Sequence, residues 1–293
     1  VQAAFGLIMG DGGTRIGLIA GGGALPAVIA EHLTGQGRPP FVVRLAPYAD
    51  EGLRPYPGED FNLGQIGQQF EHLKAEGCNA VCFAGVVRRV DPTQLNLDPL
   101  ASSLLPRVLA AMKNGDDALM RVFVEAAEEA GFRVLGAEEA CPDILAGAGV
   151  LGAASPDQRA RADIAKAAAV AQAVGAWDIG QGVVVCEGLV LAVEAQEGTD
   201  LMLRRVGQLP EAVRGTAAAR RGVLVKRPKP RQERRIDLPT IGLATVATAA
   251  AAGLAGIAVE AGGALFLQRE EALARADQLG LFVYGFSPAD PAA

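Results

Sequence analysis

The sequence predicts an α/β protein of two domains, a parallel sheet with crossover helices followed by a mixed α/β domain. Three observations carry this. Short apolar runs alternate with helix-like stretches along nearly the whole chain. At 293 residues the chain exceeds one ordinary core. Glycine is in excess (37 residues) while aromatics make up 5%, a pairing that suits tight strand-to-helix turns and aliphatic packing.

The elements follow in order. Residues 16–20 read as a strand, Gly21–Gly23 as a turn and 25–34 as a helix. A second strand at 41–45, a helix at 67–76 and a third strand at 80–84 continue the alternation. Helices at 104–113 and 118–130 and a strand at 133–136 close the first domain, placed at 15–137. The stretch 138–156, rich in Gly, Ala and Pro, reads as the linker. The second domain, 157–287, opens with an Ala-rich helix at 158–174. Strands at 182–186 and 189–194 flank Glu187-Gly188, a hairpin turn. A helix at 200–206, strands at 222–226, 256–260, 264–267 and 282–285, and helices at 245–252 and 269–279 complete it.

Composition excludes several classes. A net charge of −6 gives no general attraction to nucleic acid, so the basic stretch from Arg220 to Arg235 stands out locally. Two histidines, His32 and His72, argue against a zinc site or a histidine triad. Cys78, Cys82, Cys141 and Cys186 form no CxxC pair and read as buried free thiols of a reducing cytosol. Val1–Thr14 lacks the basic start and apolar core of a signal peptide. Residues 241–259 carry no charge over about a membrane-span length until Glu260, but they are Ala-, Gly- and Thr-rich and read as a buried helix and strand.

Four constellations could carry chemistry. In the first, a strand runs into Gly21-Gly22-Gly23 and then a helix, which reads as an anion-binding turn or as glycines serving close packing. There is no GK[ST], and Pro26 stands where the last Gly of GxGxxG would be. The second is Lys113-Asn-Gly-Asp116-Asp117, whose acids suit a helix N-cap or the hydroxyls of a sugar. In the third, Asp178-Ile-Gly-Gln181-Gly leads through the hairpin to Glu194, Glu197, Thr199 and Asp200. Those carboxylates suit a hard cation such as Mg²⁺, or a capping box. The fourth runs from Lys226 through Lys229 and Arg235 to Asp237-Leu-Pro-Thr240. Prolines hold it extended, and its cations, with Asp237 lodged before Leu-Pro, suit a pyrophosphate.

Together, Gly17-Leu-Ile-Ala-Gly-Gly-Gly, Gly115-Asp-Asp-Ala-Leu, Asp178-Ile-Gly-Gln-Gly through Glu194-Ala-Gln-Glu-Gly-Thr-Asp200, and Asp237-Leu-Pro-Thr-Ile-Gly242 resemble the two-domain UDP-2,3-diacylglucosamine pyrophosphohydrolases. The resemblance spans roughly Arg15 to Gly285. It implies an N-terminal Rossmann-like domain and a C-terminal catalytic α/β domain. It also implies Mg²⁺-dependent release of UMP and 2,3-diacylglucosamine 1-phosphate (lipid X). Asp237 falls on the family's important DLP aspartate, and Gly85-Val-Val-Arg88-Arg89 approximates its basic turn after the third strand.

On this reading Asp237, Lys226, Lys229 and Arg235 are catalytic. Glu194, Glu197, Asp200 and Asp237 hold the metal. Gly21, Gly22, Gly23, Gly85, Lys113, Asp116, Asp117, Gln181, Thr199 and Thr240 bind substrate. The expected partners are the diacylated UDP-sugar, lipid X and the inner membrane surface, met peripherally from the cytoplasm. The sequence leaves open a homodimer, and two rival functions: a nucleotide-sugar or dinucleotide oxidoreductase, and a non-catalytic lipid- or nucleotide-binding protein.

Overall fold

The computed structural model describes residues 13–88, 90–230 and 232–289. The expectations for residues 1–12 and for Arg89 lie outside these. The chain divides into two compact units. The first holds the residues up to Pro106 together with Phe123–Leu135, and the second holds Arg107–Val122 and everything from Gly136 onward.

The first unit contains β1 (Ile16–Ala20), α1 (Ala24–Gly35), β2 (Phe41–Ala46), β3 (Gly58–Asn62), α2 (Ile66–Ala75) and β4 (Ala80–Ala84). It also contains most of α3 (Pro99–Ala111), the later part of α4 (Asp116–Glu129), and β5 (Arg133–Leu135). The sheet is wholly parallel in the order β3-β2-β1-β4-β5. Strand order therefore reverses between β1 and β4, the switch point at which Rossmann-like sheets open a crevice beyond the strand ends. Gly21–Gly23 follow β1 and Gly85 follows β4 at that end. Leu18, Val42 and Val81 on the strands and Ile29, Leu33 and Leu73 on the helices are fully buried. Sequence reasoning missed the edge strand β3, which buries only Phe61 of its five residues. Its Asp60 neutralises the buried Arg44 of β2 at 2.6 Å.

From Gly136 the second unit continues with α5 (Ala137–Ala140) and β6 (Gly149–Val150), which, but for Ala137, fall in the stretch expected as linker. Then come α6 (Gln158–Gly175), β7 (Gly182–Cys186), β8 (Leu189–Val193), α7 (Gly198–Gly207) and β9 (Val223–Lys226). They are followed by β10 (Thr240–Ile241), α8 (Leu243–Ala251), β11 (Gly256–Glu260), β12 (Leu265–Phe266), α9 (Arg269–Leu279) and β13 (Phe282–Phe286). The main sheet has the order β6-β13-β11-β9-β7-β8. Its three central strands β13, β11 and β9 are parallel, with antiparallel strands added on both sides.

Alternation along each strand feeds two cores. Val183, Val185, Val223 and Val225 meet Ile164, Ala167 and Ala168 of α6 on one face. Val184, Leu224, Ile257 and Val283 meet Met202, Val246 and Ala272 of α7, α8 and α9 on the other. The hairpin turn has φ of 48° at Glu187 and 80° at Gly188, as a two-residue turn of the expected kind requires. Asp163 of α6 caps both turn amides at 2.8 and 2.7 Å. All four cysteines are free and buried.

Candidate active site in the C-terminal unit

The site grows from the segment joining β9 to β10. Lys226 is the last residue of β9 and is 5% exposed, its Nζ donating to the Thr240 carbonyl at 3.1 Å. The chain leaves the strand as Arg227, whose N–H donates to Gln181 O and whose guanidinium pairs with buried Glu260 at 2.9 Å. A turn follows in which the Gln232 N–H reaches Lys229 O, and a second in which the Ile236 and Asp237 N–H groups both reach Glu233 O. Pro228, Pro230 and Pro239 stiffen the path between these turns. Asp237 is thereby held half-buried, with Oδ2 accepting from Gln232 Nε2 at 2.6 Å.

Two further segments complete the surroundings. Lys229 Nζ donates to Asp178 Oδ1 at 2.5 Å, so the ammonium is fixed from the end of α6. Asp178 is held in the left-handed region at φ 56°. A Cβ on Gly115 would lie 1.8 Å from Asp178 Oδ2, so only glycine at 115 lets that carboxylate approach. Gly115 itself has φ +108°. Asp117, one turn on, accepts from the Glu233 N–H and pairs with Arg121 at 2.8 Å. The Asn-Gly-Asp-Asp turn is therefore a brace for the loop that carries Asp237. Asp117 lies inside the first turn of α4 and caps this neighbouring loop instead of its own helix.

Glu194 follows β8, its N–H donating to the Gly182 carbonyl at 2.8 Å. It is 7% exposed and folds over Gly182, where a Cβ would meet Glu194 Oε2 at 2.5 Å. Gly182 pairs directly with Lys226 across the antiparallel ladder, so the vacated space lies on the same sheet face as the lysine. Glu194 Oε1 accepts from Thr199 Oγ1 at 2.8 Å. Its Oε2 is buried and accepts no hydrogen bond among the described residues.

Burial pushes the Asp237 carboxyl above the ordinary aspartate range, and the charge of Asp117 adds to the rise. The positive charges of Lys229 and Lys226 and the bond from Gln232 oppose it without cancelling it. The result is an unusually basic carboxylate beside two ammonium groups. Such a set can take a proton from water while stabilising phosphate oxygens.

Several sequence expectations are placed elsewhere. Glu197 ends in an ion pair with Arg205 at 2.8 Å and accepts from the Ala195 N–H. Its carboxyl is lowered by a bond to its own backbone and by Arg205. Asp200 is exposed in the first turn of α7. The four carboxylates chosen as a metal set are thus not brought together. Among the described residues no three His, Cys, Asp or Glu side chains gather as a metal-binding group. A preformed Mg²⁺ cage does not fit these residues. A Mg²⁺ ion that keeps its waters and borrows substrate phosphates needs only one or two carboxylates, and for that Asp237 fits.

Arg235 is engaged by Glu233 of its own loop through two contacts, at 2.8 and 3.0 Å. Lys113 and Asp116 are exposed, and Thr240 is half-buried behind Lys226.

The glycine turn of the first unit also differs from an open phosphate cradle. Gly21 and Gly22 donate to Ala84 O and Val86 O at 2.8 and 3.0 Å. Gly23 donates to the Asp50 carboxylate at 2.6 Å. A Cβ on Gly21 or Gly85 would strike the backbone of the facing turn at 2.8 or 2.7 Å. The glycines serve close approach, and Asp50 stands at the start of α1 where a phosphate would sit. The residues that sequence reasoning passed over as site groups are Gln232 and Glu233, and Asp178 was singled out without a role. For Gln232 the available signal was a neutral donor–acceptor set among cations, five residues before the key acid.

The fold and this carboxylate–lysine arrangement define a two-domain α/β protein with chemistry suited to phosphate groups. The LpxI N-terminal domain model matches residues 15–144 and the LpxI C-terminal domain model matches 147–284. A UDP-2,3-diacylglucosamine pyrophosphatase LpxI of Caulobacter vibrioides is 54% identical over 274 residues, covering 94% of this chain and 98% of that protein. The chain belongs to the LpxI family. A solved structure of CobK precorrin-6A reductase overlaps 94% of this chain and 88% of its own at 16% identity and a TM-score of 0.32, too distant to carry an argument.

Proposed function

We propose that the protein hydrolyses the pyrophosphate of UDP-2,3-diacylglucosamine in lipid A synthesis, giving UMP and 2,3-diacylglucosamine 1-phosphate. The observation that carries this is Asp237, its carboxyl raised by desolvation beside the charges of Lys229 and Lys226, in a chain 54% identical to a relative of that name. Water attacks the phosphorus bearing the sugar, its oxygen joins that phosphorus, and the bridging P–O bond breaks toward UMP. Asp237 takes the water proton or orients the water. Lys226 and Lys229 balance the charge that develops on the phosphate oxygens. Gln181, whose oxygen accepts from Gln232, has its amide N–H groups to donate to the substrate, and the unpartnered Glu194 oxygen offers an acceptor. Mg²⁺, when bound, would be held by Asp237 together with substrate phosphates, and would supply further neutralisation of those oxygens.

Hydrolysis in ¹⁸O-labelled water tests the reaction. The label is expected in the acyl-sugar phosphate, with UMP unlabelled; label in UMP reverses the direction of attack, and no UMP at all removes the activity. A parallel reaction in EDTA, restored by added Mg²⁺, tests the metal. Full activity in chelator excludes it.

A further inference from the structure

We infer that Gln232 is a positioning residue that fixes the plane of the Asp237 carboxylate. It does so as the buried hub of a partly buried chain running from the Lys229 backbone through Gln232 to Asp237 and Gln181. This rests on Asp237 being the central carboxylate of the reading above.

Gln232 is 8% exposed in a loop otherwise dominated by charged residues and proline, and every polar atom of its amide is used. Nε2 donates to Asp237 Oδ2 at 2.6 Å and to Gln181 Oε1 at 3.2 Å, while Oε1 accepts from the Lys229 N–H at 2.8 Å. The orientation of the amide is dictated by its partners. An ionised carboxylate can only accept and a backbone N–H can only donate, so turning the amide over would leave both without a partner. The same logic obliges Gln181 to present its oxygen.

A neutral donor suits this place better than a third cation. It holds one carboxylate oxygen without giving Asp237 another charge to neutralise it, so the group remains a base. Fixing that oxygen sets the rotation of the carboxylate, and with it the direction in which the second oxygen meets water, metal or phosphate. A rotation of this kind displaces a reacting atom by about 1 Å, enough to cost on the order of 100-fold in rate.

The test uses the full-length protein and three variants, Gln232→Met, Gln232→Glu and Asp237→Asn. Each is measured for kcat and KM on UDP-2,3-diacylglucosamine and for thermal midpoint. Gln232→Met keeps length and bulk and loses all three bonds. Gln232→Glu keeps the acceptor for Lys229 and loses the donor to Asp237. Both should lower kcat by about 10- to 100-fold with KM within about twofold. Gln232→Glu keeps the loop turn but sets a second carboxylate against Asp237, so its midpoint should fall at pH 7 and recover toward pH 4. An unchanged kcat in Gln232→Glu overturns the inference. So does a loss carried wholly by KM, or a loss in Gln232→Met no larger than the fraction its fallen midpoint leaves unfolded. If Asp237→Asn keeps wild-type kcat, it is the functional reading itself that fails, and that outcome is distinct from the others.

Discussion

A buried carboxylate that must ionise to work is a liability to the fold that holds it, and Asp237 shows both sides of this. Its carboxyl is raised by burial, so the folded chain binds that proton more tightly than the unfolded chain does. The associated stability is present in full below the unfolded aspartate pKa, about 4, and is lost as pH rises through the folded value. At neutral pH the ionised group is therefore a net cost. Asp237→Asn should lower kcat by about 100-fold or more. Its thermal midpoint at pH 7 should be no lower than wild type, and the difference should vanish near pH 4. A midpoint well below wild type at pH 7 would make Asp237 a fold residue. For the same reason the acid limb of the wild-type kcat profile should lie above the ordinary carboxylate range. That Asp237, Lys226 and Lys229 come together was legible in the sequence because one short proline-containing segment carries all three. Gln232 was not, since its role exists only once two turns bring it back over residues three before and five after it. The run from Glu194 to Asp200 shows the opposite limit. Its members are neighbours in sequence, yet Glu194 turns into the sheet while Glu197 turns to Arg205, and only tertiary structure decides which way each goes.

Among the elements, the turn before α4 is the one whose purpose changes most between sequence and structure. Its Asp117 carboxylate takes up a backbone N–H at the start of the turn leading to Asp237, a task like that of a helix cap. Asp117→Ala should lower stability by about 0.5–2 kcal/mol and reduce kcat through a loosened loop. Asp117→Asn keeps an acceptor and should lose less on both counts. Urea denaturation of the two variants, read beside their kcat values, checks this. Equal losses would place the effect in the Arg121 ion pair instead. Strands and helices with strong periodicity, such as β7, β11, α6 and α9, were legible to within a residue. The start of α3 was not, although Asp98-Pro99 is a cap followed by a first-turn proline, and Asp98 does accept from the Ala101 N–H at 2.8 Å. The two-residue strands β10 and β12 lie below what any periodicity can register.

At the scale of the whole molecule, alternation of apolar runs with helices was enough to predict a parallel and a mixed sheet. It could not show that the tip formed by 107–122 groups with the C-terminal unit, because that depends on contacts such as Asp117 with Glu233. The uncharged stretch 241–259 is settled by packing. Its residues form the end of β10, then α8 and most of β11, and Val246, Ala249, Leu254, Ile257 and Val259 all enter one core with Leu224 and Val283. Among the described residues no helix is long and apolar enough to cross a membrane. Withdrawing this stretch into a bilayer would empty the core that α7, α8 and α9 share, a loss far beyond the total stability of an ordinary domain. A substrate with two acyl chains resides at a membrane surface, and we propose that the enzyme meets it there reversibly. In fractionated cells the protein should divide between soluble and membrane fractions. High salt or alkaline carbonate should release the bound part without detergent, because peripheral contact is held by surface forces that either treatment weakens. Material that stays with the membrane through both washes would mean an anchoring segment, and the described fold has no helix to supply one.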